Sequence, residues 1–188
     1  ENKVLLEIGD GLWNTISARR RTYDLKAADP AAGQVSWFGV VEEHGIPAIM
    51  ALRLRIAGGR IAEAETIVCR KVDLSPFPGI DTYLDPRPLM LADVPEPQRI
   101  TRERMIAVAN GYFETIQLND GTLHAEFTDD CERIENGVQT TNNAEAFGDY
   151  PIAGLGCAEQ FRKGHFIFDD RLRDRFGVEK GDRVAICS

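Results

Sequence analysis

Four carboxylates and a guanidinium fall within seven residues of this chain: Asp129, Asp130, Glu132, Arg133 and Glu135. A carboxylate held partly out of water can take and return a proton, the work of a general acid or base. Glu135 opens a hairpin turn, where the plainer reading is an exposed, solvated carboxylate. Alternation along a strand places Arg133 on the same face, where the two can form a salt bridge. Asp129 and Asp130 are expected to close a turn by accepting backbone N–H groups. A metal site there would need further oxygen ligands at short spacing, and the sequence shows none. Tyr112 offers a phenol from a helical stripe, and its plainer reading is a core aromatic. His165 opens a segment with Phe166 and Phe168; it can reach inward as an acid/base partner or lie on the surface. The cysteines Cys69, Cys131, Cys157 and Cys187 are far apart, with no CxxC and no histidine at ligand spacing. They are expected as free thiols, forming neither a zinc site nor a disulfide framework. No metal and no cofactor is expected.

The elements that must position these groups follow from periodicity. Residues 34–70 read as an antiparallel meander. Its strands are expected at about 34–42, 48–57 and 61–70, turned at Glu43-His44-Gly45 and Gly58-Gly59. Charge sets the register of the second hairpin: Arg53 opposite Glu65 and Arg55 opposite Glu63, which a three-residue loop would give. Residues 71–100 hold Pro76, Pro78, Pro86, Pro88, Pro95 and Pro97, which exclude a long helix or a central strand. Ile80 and Leu89 are among the apolar residues expected to pack this linker onto the folded parts. Thr101 caps a helix to about Leu118, with Met105, Ile106, Ala109, Tyr112, Phe113 and Ile116 as its stripe and Asn119-Asp120-Gly121 as its stop. A hairpin at 131–135 and 138–142 turns at Asn136-Gly137. A short helix at 157–162, a strand at 165–173 and a last strand at 183–187 complete the expectation. Trp13 and Trp37 are expected in the core.

The chain has 188 residues, 43% of them hydrophobic, a net charge of −8 and a pI near 5.0. That composition supports a real core. It argues against nucleic acid, whose phosphates call for a clustered positive face, and Arg19-Arg20-Arg21 is the longest basic run. No apolar run reaches membrane-spanning length, and no signal peptide is recognised. The expectation is a cytoplasmic protein without a membrane partner.

Helix, short connection, Phe127-Thr128-Asp129-Asp130, then a strand carrying an acidic residue: this order resembles the SnoaL-like/NTF2-like superfamily of cystatin-like cones. The resemblance implies an α+β fold, a strongly curved antiparallel sheet packed on helices around an apolar pocket. In its steroid isomerase branch, the catalytic carboxylate stands on the strand after the motif, which corresponds to Glu135. The oxyanion donor is a helix tyrosine, which corresponds to Tyr112. The family residue is Asp followed by Pro, whereas here Glu135 is followed by Asn136-Gly137. Residues 1–70 match the back part of such a unit, 71–100 a Pro-rich linker and 101–188 the front part. The chain is then either the end of one cone and the start of another, or one cone in permuted order. Separately, residues 172–186 resemble a segment near the start of acyl-CoA synthetases, without that family's phosphate loop.

These resemblances imply three functions. The first is a small-molecule-binding protein, acting as a cofactor-independent isomerase, cyclase or dehydratase on an apolar or carbonyl-bearing molecule. Glu135 would be its base, Tyr112 its oxyanion donor and His165 an auxiliary. The second is a non-catalytic binding or dimerisation module. The third is an accessory region linked to an acyl-CoA synthetase. A homodimer is expected.

Overall fold

The computed structural model describes residues 7, 9–71, 80, 85–146, 148, 151–163, 176–180 and 183–187, the last two stretches by backbone alone. The expected strand at 165–173, and His165 with it, lies outside the described residues. The fold is α+β. A short helix, α1 (Leu12–Thr15), leads into four antiparallel strands: β1 (Ile16–Asp29), β2 (Gln34–Glu43), β3 (Ile46–Ala57) and β4 (Arg60–Arg70), in the spatial order β1-β2-β3-β4. Two short pieces follow, α2 (Pro88–Leu91) and a 3-10 turn at Glu96–Gln98, and then the long helix α3 (Arg102–Leu118). The remainder is the hairpin β5 (Ile134–Glu135) and β6 (Val138–Gln139), a 3-10 turn at Pro151–Gly154, α4 (Cys157–Arg162) and the hairpin β7 (Phe176–Lys180) and β8 (Arg183–Cys187). β7 runs beside β1, and β8 beside α3. Among the described residues, no helix is long and apolar enough to cross a membrane.

The charge-derived register of β3 and β4 holds: Arg53 faces Glu65, Leu54 faces Ala64 and Arg55 faces Glu63. The loop does not have the expected three residues. Ala57 faces Arg60 and Ile56 faces Ile61, so Gly58-Gly59 is a two-residue turn, and a bulge next to it restores the ionic register. Both glycines have positive φ, 57° and 71°, as this tight hairpin turn requires.

The bounds of β1 are not legible in the sequence, and its irregularity explains why. Arg19 pairs with Val41 and Asp24 with Gly39, so residues 20–23 stand opposite Val40 alone. The bulge interrupts the alternation that would have marked the strand.

Each sheet face has its own apolar cluster. On one face Trp37, Val41, Ala48 and Met50 are buried, with Ile16, Leu52 and Val68 against them. The Trp37 ring lies across Gly39, where a Cβ would meet it at 2.1 Å, and its indole N–H donates to Asp24 at 2.7 Å. On the other face Val40 and Ile80 are buried, with Tyr23, Ile49 and Cys69 around them. The Pro-rich stretch therefore contributes Ile80 to the sheet core. It does not contribute Leu89, which is 81% exposed, nor is Trp13 a core residue, being 77% exposed. Trp13 sits in the four-residue α1, which buries no residue. Leu89 sits in the four-residue α2, which likewise buries none.

Helix α3 forms as its end signals dictate. The Thr101 hydroxyl accepts from the Arg104 N–H at 3.2 Å, Glu103 lies in the first turn and Asn119 closes the helix with φ 49°. Met105, Gly111, Thr115 and Ile116 are its buried face.

Candidate functional site

Helix α3 is locked against the chain that follows it. At Gly111 an added Cβ would meet the His124 carbonyl oxygen at 2.1 Å, so only glycine permits this approach. One turn on, the Thr115 hydroxyl donates to the Gly111 carbonyl and accepts from the His124 N–H, both at 2.8 Å. This clasp sets where Tyr112 points. Its ring meets Phe161 of α4 edge-on at 5.5 Å, Phe113 at 5.4 Å and Phe127 at 6.4 Å, while Phe127 and Phe161 lie 5.2 Å apart. The plainer reading of Tyr112, a packed aromatic, matches this geometry. Phe127, the first residue of the Phe-x-Asp-Asp motif, belongs to the same cluster.

The hairpin β5–β6 is shorter than expected and turns at Asn136-Gly137, with φ 48° and 88°. Arg133, the residue just before β5, is the centre of the contacts here. The guanidinium stacks over the Phe161 ring at 5.2 Å. Its Nε contacts Glu135 Oε1 at 2.6 Å and Thr140 Oγ1 at 3.2 Å, and its Nη2 donates to Gln160 Oε1. The Arg133 N–H donates to the Thr141 hydroxyl at 2.8 Å. Gln160 is almost wholly buried and donates to the carbonyls of Thr140 and Ile152 at 2.5 and 2.8 Å. Glu135 is thus ion-paired with Arg133, as the alternation of the strand implied, and its side chain is 37% exposed.

Cys131 and Cys157 form a disulfide, with Cα atoms 5.9 Å apart. This corrects the expectation of free thiols for these two. The 26-residue separation carries no spacing signature. The pair meets because the hairpin folds back on α4, which is a tertiary event. Helix α4 presents Cys157, Gln160 and Phe161 on one face, and all three are buried. Each one holds the hairpin or the aromatic cluster.

Glu135 therefore contacts the Arg133 member of the Arg133–Phe161 stack, and Tyr112 the Phe161 member. Asp129 and Asp130 are exposed in the turn that Cys131 N–H closes onto the Thr128 carbonyl at 3.1 Å. A groove of about 250 Å³ lies between α3 and residues 123–126, lined by Arg104, Ala107, Val108, Leu123, His124, Ala125 and Glu126. Neither Glu135 nor Tyr112 lines it. Among the described residues, no group of three or more His, Cys, Asp or Glu side chains could hold a metal ion.

A second polar centre lies on the sheet. Arg53, 2% exposed, donates to Glu65 at 2.7 Å, Glu63 at 2.9 Å and Gln34 at 3.3 Å. Both carboxylates raise the affinity of this guanidinium for its proton, Glu65 most, while burial opposes them. Glu63 is held below the usual carboxylate range by hydrogen bonds from Arg53 and then Arg55. Charge pairing across the strands signalled this ladder, but the depth of Arg53 had no signal of its own.

A family described as a domain of unknown function (DUF8021) matches residues 98–187, the stretch from the end of the 3-10 turn ahead of α3 to the end of β8. No curated protein and no solved structure matches the chain.

Proposed function

We propose that this protein is an NTF2-like binding module, a cone whose interior is packed with aromatic side chains and not arranged for proton transfer. One observation carries the reading. Phe161 meets the Tyr112 ring at 5.5 Å and also stacks under the Arg133 guanidinium that engages Glu135, so each candidate group is in contact with protein side chains. A base and an oxyanion donor must both reach one reacting molecule. Here Glu135 is engaged by Arg133 and Tyr112 by Phe161. The natural ligand class is a small apolar or carbonyl-bearing molecule that exchanges with those rings, and a homodimer is the expected assembly. The Cys131–Cys157 bond supports a setting oxidising enough to form it.

The test is turnover of simple enolisable ketones by the parent, Glu135→Gln and Tyr112→Phe. The binding reading expects no turnover by any of the three and unchanged folding. Turnover by the parent that Glu135→Gln abolishes would establish the isomerase reading in its place.

A further inference from the structure

The contacts of α4 divide into one covalent bond and one set of weak ones. Cys157, its first residue, is bonded to Cys131 at the entry to the hairpin. Gln160 and Phe161, three and four residues on, hold Arg133, Thr140, Ile152, Tyr112 and Phe127. A helix of six residues is not stable alone. That face carries its contacts with the hairpin and the aromatic cluster. Cys131 is half-buried whereas Cys157 is 3% exposed, so a reductant meets the bond from the hairpin side.

We propose that Cys131–Cys157 is a redox clasp, which holds α4 closed over the aromatic cluster when oxidised and releases it when reduced. The thiolate of an external dithiol attacks the Cys131 sulfur, and Cys157 leaves as a thiolate. The second thiol of the reductant then displaces Cys131 and closes a cyclic disulfide. Two electrons pass to the protein, and the two protons of the dithiol end on Cys131 and Cys157. Without the bond, the covalent tether of α4 to residue 131 is gone. Gln160 and Phe161 then hold the helix by exchangeable contacts alone, and the rings of Tyr112 and Phe127 become reachable by an apolar ligand. The sheet β1–β4 has no part in this clasp, because its clusters lie on other residues. This inference rests on the binding-module reading for its ligand, but the opening itself is read without one.

The experiment compares the full chain, oxidised and after treatment with dithiothreitol, by hydrogen exchange and by fluorescence of 8-anilinonaphthalene-1-sulfonate. Mass before and after alkylation first counts the thiols. The expected result is exchange at least tenfold faster at residues 157–162, no change at residues 46–70, and a severalfold rise in dye fluorescence. All three should reverse on reoxidation. The double variant Cys131→Ser/Cys157→Ser should behave as the reduced protein does. If that variant does not fold, the reduction of the folded parent still decides. Unchanged exchange in α4, equal loosening of the sheet, or equal dye binding in both states would each overturn the clasp. Loosening of α4 without dye binding would overturn the uncovering of the rings. Ketone turnover, the test of the preceding section, is read on the oxidised protein, so the two readings fail separately.

Discussion

Arg102, the first residue of helix α3, places its Nη2 2.5 Å from the Oδ2 of Asp29, the last residue of β1. The pair joins the sheet to the helix across 73 residues of sequence. Asp29 is 3% exposed, and its other oxygen accepts from the Ala32 N–H at 3.1 Å, which shapes the turn into β2.

This pair predicts a pH dependence. The hydrogen bond from Arg102 holds the Asp29 carboxyl below the usual carboxylate range; burial opposes it, and the Ala32 N–H assists. A lowered folded-state value means that the stabilisation is present above the unfolded value of about 3.9 and is lost as pH falls through the folded one. Asp29→Asn should therefore cost about 1 kcal/mol at pH 7, a figure reduced because Arg102 is part-exposed. The urea midpoints of parent and variant should converge below about pH 4. A gap that stays constant from pH 7 to pH 3 would show that the charge on Asp29 is not what matters.

Arg53 predicts a larger loss. Its guanidinium is buried between β2 and β4 and satisfies two carboxylates and Gln34. Arg53→Ala removes the packing of the stem and leaves Glu63 and Glu65 facing the same space. The expected cost is about 2 kcal/mol, less than for a fully enclosed pair because both glutamates remain in contact with water. Arg53→Ala in a Glu65→Gln background should cost measurably less, since one repulsive carboxylate is gone. Additive midpoint shifts would remove the coupling.

What was legible in the sequence was local or paired by charge. Thr101 and Asn119 mark the ends of α3 because caps act within a turn of the residues they serve. Arg53 and Glu65 set a register because opposite charges must face each other across two strands. The rest depended on distant partners. β1 was hidden by its own bulge at residues 20–23, since a strand that leaves the ladder loses its alternation. Trp13 is a core residue by type, yet it falls in a four-residue helix and is largely exposed. The candidate site was half legible. The salt bridge of Arg133 with Glu135 follows from their spacing of two residues in extended chain, whereas Gln160, Phe161 and the bond to Cys157 come from a helix more than twenty residues away.

Gly111 should not tolerate even a methyl group. Alanine in a helix interior is ordinarily better than glycine by about 1 kcal/mol. Here the added Cβ meets the His124 carbonyl at 2.1 Å, a backbone atom that cannot swing away. The clash should reverse the sign, making Gly111→Ala less stable by about 2 kcal/mol. Loss of exchange protection at the His124 amide, which now donates to Thr115, should accompany it. A variant at least as stable as the parent would show that α3 and residues 123–126 can separate freely.

Phe161 tests how the aromatic cluster and the polar clamp share one helix. It is 2% exposed, packs on Tyr112 and Phe127 and carries the Arg133 guanidinium on its face. Phe161→Ala opens a cavity and removes that face, at an expected cost of about 3 kcal/mol. Phe161→Leu retains much of the volume but not the ring, so it should recover more than half of the loss. If packing alone held Arg133, the leucine variant would keep the Arg133–Glu135 ion pair as the parent does. If the ring's electrostatic attraction contributes, Glu135→Gln should have a smaller effect on the denaturant midpoint in Phe161→Leu than in the parent, because the guanidinium is then less firmly placed. Identical effects in both backgrounds would separate the ion pair from the aromatic cluster and leave Glu135 as a surface residue of the hairpin.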